Sequence, residues 1–468
     1  MAEGSIPGGK ETVVLDFSAL PQGYYELNIS SKSADGPIQQ LAKTSFSVLD
    51  DFEFSSWETS PFGINLHLAR GYQGTGWTHD LLKEAYAIGA VNVRDGTNWE
   101  TVEKEKGKYE FGGWGTVSGF GIGQFIRDKN MNYLYVTGYT NPNYDNNSTP
   151  YTDEGRAGYT AYSKAAFDNS FMPLYCQEMY NEWYGMGNKG SIPEEDKNNP
   201  KTYVKLTNAI YQAVSKEEYP QSMLFGAFSG DIWNTRVIEN GIIDSMDGAA
   251  IHIYPPYYDD YWDAEYNADN KKPENGCFDV ISRLREQMDT YSDRGKSQPI
   301  WLTETGYATS DNRRGVSEKM QATYLPRLYL SAIAAGAEKI FWYDLLDDGT
   351  DLTQHENNFG LLRCKGTARG MGDYTPKPAY VAYGVMARML DGFSFNQVSK
   401  TNGIYDYTFV NNGRILHAVY SETSGNLTIP ARNEITVVNI MGESKSYLPQ
   451  NNLLTIPVSQ NVCYFEEN

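Results

Sequence analysis

Two glutamates stand where a polypeptide could do acid–base chemistry. Glu182 lies in YCQEMYNEWYG, an Asn-Glu pair set among aromatic residues just where an apolar run ends, and Glu304 closes another apolar run, PIWLTE. A carboxylate beside Trp and Tyr must find a partner or shift its pKa. Cleavage of a glycosidic bond requires two carboxyl groups of unequal proton affinity, one to protonate the leaving oxygen and one to attack or support the cationic carbon. Glu182, beside Trp183 and facing another anion, is expected to keep its proton, whereas Glu304 near Arg94 is expected to stay ionised. Glu178 shares the inward parity of Glu182 and is the alternative acid. A second Asn-Glu pair, Asn433 with Glu434, falls in a region with no comparable surroundings.

The elements that carry these side chains decide whether they meet. After Asp51 an apolar strand followed by a longer helix-periodic segment recurs about eight times, the pattern of a parallel sheet wrapped by helices. The strands read as FGINLHL from Phe62, AVNVRD from Ala90, NYLYVTG from Asn132, PLYCQEM from Pro173, MLFGAF from Met223, GAAIHIY from Gly248, PIWLTE from Pro299 and KIFWYDL from Lys339. Such units close into a (β/α)8 barrel, and the Gly-rich phosphate turn of a doubly wound sheet is missing. Polar residues at the C-terminal strand ends then share one mouth: His67, Arg94, Asn181, Glu182, His252, Tyr254, Glu304, Trp342 and Asp344. Residues 1–51 alternate in short runs, ETVVLDF, GYYELNIS and TSFSVL, and short alternating strands return over 391–468. The expected fold class is α/β: a TIM barrel over 52–390 with an accessory all-β sandwich built from 391–468. The N-terminal strands are expected to pair into that sandwich, with an immunoglobulin-like remnant as the alternative.

Composition narrows the partner. The 39 basic and 59 acidic residues leave a formal charge of -20, which repels nucleic acid and anionic lipid. Apolar runs stop short of the length a membrane helix needs, so membrane insertion is not expected. The 36 Tyr residues offer apolar faces with polar edges, which suit a sugar ring. Two long loops rich in Tyr, NPNYDNNSTPYTDEGRAGY and YPPYYDDYWDAEYNADNKK, read as walls of a groove for several sugars, the alternative being packed lids. Cys176, Cys277, Cys364 and Cys463 form no C-x-x-C pair, and His is scarce, so no metal or other cofactor is expected. The opening MAEGSIPGGKET lacks signal-peptide regions; a secreted or periplasmic protein, monomeric or weakly oligomeric, is nonetheless the expectation.

The segments YNEW, HIYPP and TETGYAT, with FWYDLLDDG followed by NFGLL and KPAY, resemble the retaining glycoside hydrolases of clan A. The resemblance runs from about Phe62 to Met386, and VRDGTNWETVEKEKGKYEF is nearest in style to family 39. It implies Glu182 as acid/base, Glu304 as nucleophile and Asn181 as donor to the sugar 2-hydroxyl. It implies Arg94 and Tyr254 orienting the nucleophile, Trp342 as floor beneath the sugar, His252 beside Tyr254, and His67 and Trp99 as further substrate contacts. Trp183, also expected at the site, stands where many clan members carry Pro, which leaves the path of that loop open. The implied activity is hydrolysis of a β-linked oligo- or polysaccharide such as a β-glucan, xylan or mannan. Retention of configuration requires the two carboxyl groups about 5–5.5 Å apart. The rival is a glycan-binding protein on a silent barrel, against which two neighbouring buried anions argue.

Overall fold

The computed structural model describes residues 17, 19–31, 36–37, 39–68, 77–111, 122–168, 174–184, 187–255, 277–366 and 373–467. The chain opens with an antiparallel hairpin, β1 (Gly23–Ser31) and β2 (Gln39–Val48). Eight parallel strands follow: β3 (Phe62–Asn65), β4 (Asn92–Asn98), β5 (Asn132–Gly138), β6 (Cys176–Glu178), β7 (Met223–Phe228), β8 (Gly248–His252), β9 (Ile300–Thr305) and β10 (Ala337–Trp342). They close into a barrel in chain order, with β10 pairing back to β3. Helices lie between successive strands, from Trp77–Ala87 to Glu318–Ala334, and Pro378–Leu390 follows the last. The strand at each sequence-derived position is present, because short apolar runs bounded by helix-periodic segments leave a parallel, doubly covered sheet as the packing that buries both faces.

Alternation along these strands sorts the interior from the helix layer. Leu134, Cys176, Phe225, Ala250, Trp301 and Phe341 form one buried cluster across neighbouring strands, consistent with a plug inside the barrel. One inward step further along β6 and β8 come Glu178 and His252, and Arg94 occupies the same level on β4. An apolar layer thus sits beneath a charged one. On β9 the alternation is broken: Ile251 faces Leu302 but His252 faces Glu304, so an extra residue is accommodated at Thr303. Such a bulge re-aims the side chain that follows it. Without it Glu304 would share the outward parity of Leu302.

The tail comprises β11 (Ser394–Thr401), β12 (Ile404–Asn411), β13 (Arg414–Ser421), β14 (Gly425–Pro430), β15 (Ile435–Asn439), β16 (Ser444–Tyr447), β17 (Leu453–Val458) and β18 (Cys463–Glu466). Six strands form an antiparallel sheet in the order β11-β12-β13-β18-β15-β16, and β14 pairs with β17. Asn402-Gly403 and Asn412-Gly413 turn the first two hairpins with positive φ at both residues, the conformation that matches strand twist and that Asn-Gly adopts most readily. Leu454, Ile456 and Val458 meet Val419, Ile435, Val437 and Phe465 between the sheets, giving a small sandwich core.

This sandwich is bound closely to the barrel. Arg327, on the helix Glu318–Ala334, is buried with its guanidinium 5.2 Å from the Tyr324 ring centre and 4.6 Å from that of Tyr420 on β13. Thr323 Oγ1 donates to Asn461 Oδ1 at 2.8 Å. The N-terminal hairpin departs from expectation, since among the described residues it shares no ladder with the tail. Buried Arg363, paired with Glu318, donates to Ser45 Oγ at 2.9 Å and Tyr24 Oη at 3.4 Å, and Arg388 Nη1 donates to Gln22 Oε1 at 2.7 Å. Side-chain anchoring on the barrel takes the place of strand pairing. Apart from Phe17, ETVVLDF lies outside the described residues.

Candidate active site

At the mouth of the barrel one guanidinium organises the charged layer. Arg94 Nε and Nη2 donate to the two Glu178 oxygens at 2.8 and 3.1 Å, Nη1 to Glu304 Oε1 at 2.6 Å and to Asn65 Oδ1 at 2.8 Å, and Nη2 also to Asn181 Oδ1 at 2.6 Å. Burial works against its charge, but the two glutamates more than offset this and hold it protonated. Glu178 is fully enclosed, its side chain 0% exposed. Burial would raise its pKa, yet Arg94 and His252 bring it down to about 2. It is therefore a fixed counter-ion, and the carboxylate that reaches the opening is Glu182, on the loop after this strand and 30% exposed.

Glu304 accepts from Arg94 on one oxygen and from Tyr254 Oη at 2.7 Å on the other. Against the penalty of burial, His252 and Arg94 and the Tyr254 hydrogen bond keep its carboxyl below the usual range. His252 lies between the two candidate catalytic groups, with Nδ1 2.9 Å from Glu182 Oε1 and 3.5 Å from Glu304 Oε2. Its Nε2 is 3.4 Å from Glu178 Oε1. Burial disfavours its charge, but Glu304 and bonds to Glu178 and Glu182 push its pKa up to about 10. A Glu182 oxygen, His252 Nδ1 and a Glu304 oxygen all lie within 4.8 Å of one another. The same atoms form an ion-pair network centred on His252.

The loop carrying Glu182 is tightly determined. Tyr180 has φ 85° and Glu182 φ 50°, conformations that non-glycine residues hold only where surroundings impose them. Tyr180 N donates to Thr137 Oγ1 at 3.1 Å and its hydroxyl to Gly187 O at 2.9 Å. Thr149 and Tyr180 hydroxyls lie 2.6 Å apart, and Lys189 N donates to Thr149 Oγ1 at 2.8 Å. A Cβ on Gly187 would fall 1.6 Å from the Glu182 carbonyl oxygen, so this close approach admits glycine alone.

Several expected contacts lie elsewhere. Trp342 is 0% exposed and shares the helix-layer parity of Ile340, with Nε1 3.4 Å from Phe359 O; it forms no floor for a sugar. Tyr343, one residue on, faces the opening beside His67, Tyr254 and Phe359, at ring separations of 5.3, 6.2 and 5.3 Å. Trp99 is buried against Tyr144, Tyr159 and Tyr162 and donates to Glu103 Oε2 at 2.5 Å, away from the site. Trp183 turns into the core against Tyr180 and Tyr203, so it gives Glu182 no apolar wall. The loop from Asn141 is likewise a packed buttress: Tyr144 and Tyr159 are buried, and Asp145 ties Tyr151 and Thr152. The loop after β8 lies outside the described residues from 256 to 276. His67 does reach the mouth, with Nδ1 2.8 Å from Asp348 and 3.3 Å from Asp344. Asn65, Tyr139 and Tyr343 escaped the sequence reading. Asn65 could have been found from its shared face with His67, two residues on.

No protein-family model and no curated protein sequence matches the chain. Solved structures do. A family 39 glycoside hydrolase from the gut symbiont Bacteroides cellulosilyticus WH2 aligns over 96% of this chain and 88% of its own, with TM-score 0.73 and 21% identity. The fold is that of the clan A glycoside hydrolase barrels. A family 30 endoxylanase from Clostridium papyrosolvens C71 matches at TM-score 0.56 and 11% identity, over 90% of this chain and 97% of that one. An α-L-arabinofuranosidase from Thermotoga maritima matches at TM-score 0.58 and 13% identity, over 88% and 98%. Among the described residues no helix is long and apolar enough to cross a membrane.

Proposed function

We propose that the protein is a retaining glycoside hydrolase acting on β-linked glycans by double displacement. The observation that carries this reading is the approach of Glu182 and Glu304 oxygens to within 4.8 Å across one opening. That approach fits the carboxyl separation of about 5–5.5 Å in a retaining pair better than that of about 6.5–9.5 Å in an inverting one. Glu304, kept ionised and oriented by Arg94 and Tyr254, attacks the anomeric carbon as the bond to the leaving oxygen breaks and Glu182 gives that oxygen its proton. Water then attacks the glycosyl-enzyme, Glu182 takes the water's proton, and the ester bond to Glu304 breaks.

A neutral polysaccharide is the substrate class that fits best. Glu182, Asp344 and Asp348 at the mouth disfavour uronic or sulfated sugars, and xylan accords with the endoxylanase among the structural neighbours. β-Glucan and mannan belong to the same panel. A polymer of this kind is met outside the cytoplasm, which favours a secreted or periplasmic setting. The test is incubation with xylan, β-glucan, mannan and aryl glycosides, following products by mass spectrometry and the first-formed anomer by proton NMR. Retained configuration is expected. An inverted product, or no turnover of any member, overturns the reading in favour of another mechanism or of simple glycan binding.

A further inference from the structure

We infer that Tyr139 is a positioning residue that fixes the Asn181 amide for contact with the substrate's 2-hydroxyl; this rests on the glycosidase reading above. Tyr139 follows β5 and meets the charged layer through Asn181. Its hydroxyl accepts from Asn181 Nδ2 at 2.8 Å. The other end of the same amide, Oδ1, accepts from Arg94 Nη2 at 2.6 Å. A guanidinium can only donate, so the oxygen must face Arg94 and the NH2 group must face Tyr139. Two clamps therefore determine which way the amide points. One of its N–H groups is spent on Tyr139, and the other makes no hydrogen bond among the described residues, so a ligand in the mouth can take it.

The phenol is itself held. Tyr180 meets its ring edge-on at 5.7 Å, and the Lys189 ammonium lies 5.4 Å from its centre. Both neighbours belong to the loop that carries Glu182, so the same loop that places the acid steadies the support of the amide beside it. Hydrogen bonds to the sugar 2-hydroxyl strengthen in the transition state of glycoside cleavage. An amide free to swing would make that bond less often at the moment of reaction. Tyr139 thus acts through Asn181 and not on the substrate itself.

The test is a double-mutant cycle on turnover. Wild type, Tyr139→Phe, Asn181→Ala and the double variant are assayed on 4-nitrophenyl glycosides of xylose, glucose, mannose and arabinofuranose. The 2-deoxyglucoside is assayed beside the glucoside. Loss of one oriented hydrogen bond should lower kcat/KM about tenfold in Tyr139→Phe, mainly through kcat. In the Asn181→Ala background the same substitution should cost less than about twofold, because no amide remains to be placed. Where the glucosides are cleaved, Tyr139→Phe should also reduce the ratio of glucoside to 2-deoxyglucoside rates. Equal losses in both backgrounds would mean a general structural role and overturn the inference. A wild type inactive on every aryl glycoside and also on xylan, β-glucan and mannan defeats the glycosidase reading and, with it, the role assigned to Tyr139; where only a polysaccharide is cleaved, the same cycle is run on it.

Discussion

Glu178 and Glu182 sit four residues apart on one strand and loop, and conversion of each to glutamine should have opposite consequences. Glu178→Gln removes a fully enclosed anion that receives two bonds from Arg94 and lies 3.4 Å from His252. Two buried cations would then share less negative charge. Breaking a buried pair by removing one partner costs about 3–5 kcal/mol. Glu182→Gln removes a partly exposed carboxylate that, among the described residues, bonds His252 at 2.9 Å, and should cost about 1 kcal/mol or less. Turnover should run the other way for Glu182→Gln: loss of a general acid slows the reaction about a hundred- to ten-thousand-fold. The slowing should be smaller for aryl glycosides whose leaving group needs no proton. Urea denaturation reads the first quantity and steady-state rates on two leaving groups the second. A Glu178→Gln variant of normal stability, with a turnover deficit relieved by a good leaving group, would make Glu178 the acid and refute the assignment.

Three further outcomes can be checked. Gly187→Ala should displace the Glu182 backbone and lower kcat at least about tenfold, while a melt monitored by circular dichroism shows the barrel still folded. Tyr343→Ala should raise KM for a sugar substrate by about tenfold, since Tyr343 faces the mouth, whereas Trp342→Ala should destabilise the fold by about 3–5 kcal/mol through the cavity it leaves. His252, whose pKa rises on folding from about 6.5 to about 10, adds stability that is complete below the lower value and lost as pH climbs through the higher one. The stability gap between wild type and His252→Gln, measured in urea, should therefore be larger at pH 6 than at pH 10; a constant gap would mean that the imidazole carries no charge.

The barrel was legible because its signal is repetitive: each apolar run followed by an amphipathic helix states the same instruction, and errors at one boundary do not propagate. The charged residues at strand ends were legible for a related reason, since Arg94, His252 and Glu304 have little reason to end apolar strands unless they meet one another. Aromatic residues were harder. Trp342 and Tyr343 differ by one position, and strand parity alone sends the first into the helix layer and the second to the mouth. Near Glu304 parity itself is altered by the bulge at Thr303, which no periodicity reveals. Trp99 and Trp183 were expected at the site because the types fit. Their burial depends on tertiary neighbours, Tyr144 from the loop after β5 and Tyr203 from the helix Pro200–Ala213. The N-terminal hairpin was misplaced because alternation specifies a strand but not its partner, and here side chains from Arg363 and Arg388 decide where it rests.

Arg327, wedged between rings contributed by barrel and tail, makes these two parts a single mechanical piece. A detachable binding module roams on its tether to scout for polymer; a bolted one holds whatever surface it carries at one bearing to the cleft. Cutting the chain after Leu390 would strip Tyr420 from the Arg327 guanidinium and uncover the apolar side chains packed beneath the tail, so shortened versions should come out of expression as aggregate and not as a leaner enzyme.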